Sequence, residues 1–180
     1  MRHFPVTMLL VVCALLGGCT RELTRQQVAE FVDQADAAAR KRFAPEICEL
    51  RARDFKLENT FHAQGRREPS EIEMSRKLFC QQAGQFSRLR QYRLERKSMD
   101  IDVATDRKSA TVTAEYVETM PYYEPGTMAA TLDDFREFQV LESADESVVG
   151  IEDGELRFLS TRSESFQTLV AKESLQIPYD

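Results

Sequence analysis

The chain has 180 residues, with 30 Asp plus Glu against 24 Lys plus Arg and a net charge of −6. That length fits one hydrophobic core and no second domain. The acidic balance argues against nucleic acid as a partner, because holding a phosphate backbone takes a basic surface. Basic residues cluster locally at Arg40, Lys41 and Arg42, at Arg66 and Arg67, and at Arg88, Arg90, Arg93, Arg96 and Lys97. Such runs are solvated helix ends and loops, or contacts to anionic lipid heads or lipopolysaccharide.

At the N-terminus, Arg2 gives a positive start, Phe4 to Leu16 is almost wholly apolar, and Leu16-Gly17-Gly18-Cys19 closes the run with small residues before a cysteine. A membrane span needs about 20 apolar residues, more than this run offers. The pattern resembles the lipobox signal peptide of bacterial lipoprotein precursors. The resemblance implies cleavage between Gly18 and Cys19 and attachment of a diacylglycerol to the Cys19 thiol, the acyl chains being of the palmitate kind. Residues 1–18 would then be the signal and 19–23 a tether. At about 0.8 kcal/mol per buried methylene, two or three acyl chains hold a protein on a bilayer essentially permanently. Thr20 stands where an Asp would mark inner-membrane retention, which implies the periplasmic face of the outer membrane in a Gram-negative envelope. Loss of Arg2 with the signal takes the net charge to −7, 23 basic residues against 30 acidic. The competing reading is an ordinary secretion signal, with Cys19 free for a disulfide.

With Cys13 in the signal and Cys19 carrying lipid, Cys48 and Cys80 remain in a domain exported to an oxidising compartment. A structural Cys48–Cys80 disulfide is the simplest outcome. Two separate buried thiols are the alternative. Metal binding fits less well, because no His or third Cys accompanies the pair.

In chain order, Thr24 with Gln27 forms a capping box that opens a helix over 24–43, with Val28, Phe31, Val32, Ala35 and Phe43 at helical spacing. Pro45 opens a second, shorter helix carrying Ile47, Cys48 and Leu50. From Phe55 to Phe61 the side chains alternate, which predicts a half-buried strand. Ser70 and Glu73 make a second capping box, and Ile72, Phe79, Cys80, Ala83 and Phe86 then line a stripe that predicts a long helix over 71–89. The period changes to two through Met99, Ile101 and Val103, and again through Ala110, Val112, Ala114 and Tyr116, which predicts an antiparallel hairpin. A loop holding Pro121, Tyr122, Tyr123 and Pro125 leads to a strand near 131–143, and Asp153-Gly154 turns the chain between two last strands. Residues 164–180 read as a tail.

Three helices with an early strand among them, followed by a strand meander, make an α+β domain over 24–163, with helices packed on a curved antiparallel sheet. This element order resembles the nuclear transport factor 2-like cone. The resemblance implies a cavity between sheet and helices, used for catalysis in some members and for binding in others; the fold alone does not choose.

Candidate chemistry is sparse. His62 falls on the strand face opposite Phe55 and Leu57, toward solvent, and Asp54 sits where a cap or turn residue belongs. Tyr116 shares the inward alternation of Val112 and Ala114, so it is core packing or a ligand contact. Tyr122 and Tyr123, on a Pro-bounded loop, suit loop packing or a partner surface. No glycine loop, zinc spacing, nucleophile elbow or paired-carboxylate signature occurs, so no cofactor, metal or catalytic residue is assigned. The expected function is a non-enzymatic, membrane-tethered periplasmic domain that binds a small apolar ligand or an envelope protein partner. The alternatives are an isomerase or cyclase, which needs Tyr116 and a carboxylate to converge in a closed cavity, and a structural subunit of an envelope assembly.

Overall fold

The computed structural model describes residues 22–89, 91–122 and 137–175. Helix α1 (Arg25–Lys41) starts at the expected capping box, the Thr24 hydroxyl accepting from the Gln27 backbone while the Gln27 side chain accepts from the Thr24 N–H. It stops where Arg42 turns left-handed, at φ 56°. That turn carries Phe43 out of the apolar stripe expected to include it, and Phe43 is 54% exposed. Pro45 opens α2 (Ala44–Glu49), and the chain passes at once into β1 (Arg51–His62).

The next segment corrects the sequence reading. Residues 70–75 form strand β2 (Ser70–Ser75), and only then does helix α3 (Arg76–Phe86) begin, so the expected helix over 71–89 loses both ends. Ser70 to Ser75 carries two patterns at once. Its Ser-x-x-Glu spacing reads as a cap, but Ile72 and Met74 also alternate with Glu71 and Glu73. Pairing with β1, Asn59 to Ile72 and Leu57 to Met74, satisfies the alternation and leaves the glutamates exposed.

Strands β3 (Arg93–Val103) and β4 (Ser109–Tyr122) make the expected hairpin. β5 (Glu137–Glu152) and β6 (Glu155–Ala171) follow, joined by Asp153-Gly154 with both residues at positive φ. β5 begins later and runs further than the strand expected near 131–143, whose first residues lie outside the described ones. β6 continues to Ala171, so residues 164–171 belong to the sheet and not to a tail. The six strands lie in the order β2-β1-β6-β5-β4-β3; all pairs are antiparallel except β1 with β6. Register shifts at Arg51/Lys56, Arg96/Ser98 and Val148/Val149 mark bulges, which bend strands and let the sheet curve.

The helices cover the concave face. Val28, Phe31 and Val32 of α1, with Ile47 and Leu50, pack on Phe55, Val112, Val149 and Phe158 from the sheet. Cys48 and Cys80 form a disulfide that joins α2 to α3, with their Cα atoms 5.5 Å apart. The fold is thus α+β, helices on a curved sheet, as the element order implied.

Candidate functional site

Between the helices and the concave face lies a cavity of about 370 Å³. Its apolar wall is built by Phe55 and Leu57 of β1, Phe79 and Phe86 of α3, and Leu94 and Leu141 of the sheet. The sheet also gives the cavity a polar stripe, and strand alternation explains why. In β5 the exposed residues Glu142, Ala144 and Glu146 alternate with Leu141, Ser143, Asp145 and Ser147, which turn inward. In β6, Thr161, Ser163 and Ser165 do the same, and the register sets Asp145 opposite Ser163 and Ser147 opposite Thr161. Ser163 donates to Asp145 at 2.6 Å, Ser165 to Asn59 at 3.0 Å, and the Ser147 and Thr161 hydroxyls meet at 2.9 Å.

Three carboxylates and one guanidinium line this space. Asp36, on α1 four residues after the buried Val32, accepts from Arg96 Nη1 at 2.8 Å and from the Tyr116 hydroxyl at 3.3 Å, with Arg40 3.8 Å away. Burial pushes its carboxyl above the ordinary range, while Arg96 and Arg40 pull back. Glu118 accepts from the Tyr92 hydroxyl at 2.8 Å, and burial raises it too. Asp145 is raised by burial against bonds from Ser163 and Ser143 and the nearby charge of Arg51. Both phenols, Tyr92 and Tyr116, are pushed up by burial and by those carboxylates.

A carboxyl held above its unfolded-state value favours the folded protein less as pH rises through the raised value. Asp145 therefore costs stability at neutral pH and ceases to do so as the medium is acidified toward the ordinary carboxylate range. The Asp145→Asn variant is expected to unfold at a higher temperature than the parent at neutral pH. The gap should narrow on acidification, as followed by calorimetry; a gap that widens would contradict the assignment.

Arg51 opens β1, with the centre of its guanidinium 4.3 Å from the Phe158 ring, 4.9 Å from Phe79 and 5.3 Å from Phe55. Its Nε and Nη1 are buried without a hydrogen-bond partner among the described residues. Burial lowers its pKa to about 10, so it remains charged at neutral pH.

Of the residues singled out from sequence, Tyr116 lines the cavity and meets Asp36 there. Tyr122 is half-buried at the end of β4 and does not line the cavity, and Tyr123, Gly18 and Cys19 lie outside the described residues. His62 is on the outer face, bonded to Glu164 at 3.0 Å and stacked on Phe166 at 4.4 Å, and Asp54 is exposed. Sequence reasoning missed Asp36, Arg51, Glu118 and Asp145. The signal for Asp36 was its place one turn beyond Val32, with Arg40 a turn further; for Asp145 it was Ser143-x-Asp145-x-Ser147 in strand phase. Among the described residues no group of three or more His, Cys, Asp or Glu could hold a metal ion.

No protein-family model matches the chain, and no curated protein gives a significant sequence match. Solved structures do resemble it. A type 2 hexachlorocyclohexane dehydrochlorinase, LinA, superposes with a TM-score of 0.58 at 9% identity, covering 87% of this chain and 97% of that one. A scytalone dehydratase-like protein from Novosphingobium aromaticivorans gives 0.57 at 11%, covering 78% and 83%. A protein of unknown function from Pseudomonas putida, described as NTF2-like, gives 0.50 at 10%, covering 77% and 84%. At these identities the likeness concerns the backbone alone, and it places the curved six-stranded sheet with its helices in the nuclear transport factor 2-like cone fold.

Proposed function

We propose that the protein is a lipid-anchored envelope lipoprotein whose cone binds a small, mostly apolar molecule without transforming it. The observation that carries the binding reading is the cavity of about 370 Å³, lined by Phe and Leu side chains and by a polar stripe from β5 and β6. Binding sites for small molecules are typically concave and mostly apolar, with a few placed polar groups. The anchor reading rests on Leu16-Gly17-Gly18-Cys19 after an apolar run. Acylation there would set the cone beside a bilayer, where apolar molecules concentrate. Tyr122, at the end of β4, is the surface residue such a domain would offer to an envelope protein.

The hydrophobic core begins at Leu23, so the chain from Thr20 onward carries the whole described fold and can be studied in buffer. The neutral fluorophore N-phenyl-1-naphthylamine is expected to bind it saturably at one site. Leu141→Trp, which fills the cavity from the sheet side, is expected to abolish that binding with the circular dichroism unchanged. Unsaturable binding, or binding indifferent to Leu141→Trp, would sink the reading. Separately, mass spectrometry of the membrane-extracted protein should find a diacylglycerol on an N-terminal Cys19; an unmodified Cys19 would overturn the anchor.

A second reading, an enzyme, is favoured by one geometry: the Tyr116 hydroxyl and the Asp36 carboxyl meet at 3.3 Å inside the cavity. Cone proteins of similar backbone include a dehydrochlorinase. The ion pairs of Asp36 with Arg96 and Arg40 weigh against it, because they occupy the carboxylate that would act as base. Substrate turnover removed by Asp36→Asn, with the fold retained, would establish the enzyme instead.

A further inference from the structure

We propose that Arg51 is the anchor for the negatively charged head of the cavity's ligand, making that ligand an anionic amphiphile: a carboxylate on a hydrocarbon body. The inference rests on the binding reading above and names its substrate class.

Among the described charged residues lining the cavity, Arg51 stands apart. Asp36, Glu118 and Asp145 each have hydrogen-bond donors in place. The Arg51 side chain has no hydrogen bond and no ion pair with a described residue, and its Nε and Nη1 are shut off from solvent. Nearby Arg76 shows the contrast, its guanidinium donating to the backbone carbonyls of Arg51 and Cys48. An unpaired buried donor loses its bonds to water and gets nothing back.

Three rings surround the guanidinium, Phe55, Phe79 and Phe158, and their π faces attract a cation. That attraction helps the protein tolerate the charge. It does not use the N–H donors as an acceptor oxygen would, and the fork of a guanidinium matches the two oxygens of a carboxylate. The same Phe side chains belong to the apolar wall of the cavity. A ligand that placed its carboxylate on Arg51 would therefore lay its hydrocarbon along Phe55, Phe79 and Leu57. The charge of Asp145 reaches Arg51, but Asp145 makes no hydrogen bond or ion pair with it, because Ser163 and Ser143 hold the Asp145 carboxyl.

The test displaces N-phenyl-1-naphthylamine from the chain with decanoate and, in parallel, with decan-1-ol, below the concentrations at which either aggregates. Both have the same hydrocarbon body, so their ratio isolates the head group. Decanoate is expected to compete about tenfold or more better than the alcohol, as a charge-assisted bond to a buried partner allows. In Arg51→Met the ratio should fall to near unity. Equal competition by the two in the parent protein overturns the role of Arg51 and leaves the apolar cavity standing. Absence of fluorophore binding in the parent overturns the cavity reading itself. Should Arg51→Met not fold, Arg51→Lys, which keeps the charge but loses the fork, is expected to give an intermediate ratio, and a ratio equal to the parent's would count against guanidinium recognition.

Discussion

Replacing Phe158 by alanine is expected to lower the unfolding free energy by about 3 to 5 kcal/mol, the range for emptying a buried aromatic position. Phe158 is 7% exposed and packs its ring 4.9 Å from that of Phe31, where α1 meets the concave sheet. It is also the ring nearest the Arg51 guanidinium, at 4.3 Å. The substitution thus removes helix-to-sheet packing and strips one face from a half-buried cation in a single step. Phe158→Leu, which keeps most of the volume, should cost about 1 kcal/mol. Urea unfolding followed by circular dichroism compares the two. If alanine costs no more than leucine, the Phe31–Phe158 contact does not hold α1 to the sheet.

Breaking the Cys48–Cys80 disulfide should be nearly as costly. The bond spans 32 positions and ties α2 to α3, and closing a loop of that size restricts the unfolded chain by roughly 3 to 4 kcal/mol in the chain-entropy model. For a domain of this size that corresponds to a fall of about 10 °C in the unfolding midpoint. The double variant Cys48→Ala with Cys80→Ala should show it by calorimetry, and an unchanged midpoint would make the bond thermally irrelevant. The effect should concentrate in α3, which forms one side of the cavity through Phe79, Gln82 and Phe86. Ligand binding should weaken in the double variant before the sheet melts.

The elements whose instructions are local were legible in the sequence. The capping box at Thr24, the period of Val28, Phe31 and Val32, the hairpin alternation and the Asp153-Gly154 turn each depend on residues a few positions apart. The segment from Ser70 to Ser75 was misread because its two local patterns conflict, and only the partner strand β1 decides between them. The polar groups of the site were hidden for a related reason. A charged side chain is assigned to the surface by default, and the partner that lets Asp36 stay inside is Arg96, 60 positions away. Arg51 was passed over as one basic residue among many, because its aromatic surroundings come from β1, α3 and β6 together. Tyr116 was found because alternation alone turned it inward.

The parallel junction between β1 and β6 sets an order on assembly. Glu58 and Arg162, which pair across it, are 104 positions apart, so this junction closes only when nearly the entire polypeptide is available. Until then β1 and β5 each present an open edge, a situation that slows folding and invites pairing with other chains. A protein built this way folds late and in one cooperative event, and a chain cut short before Thr161 would have no floor to its cone.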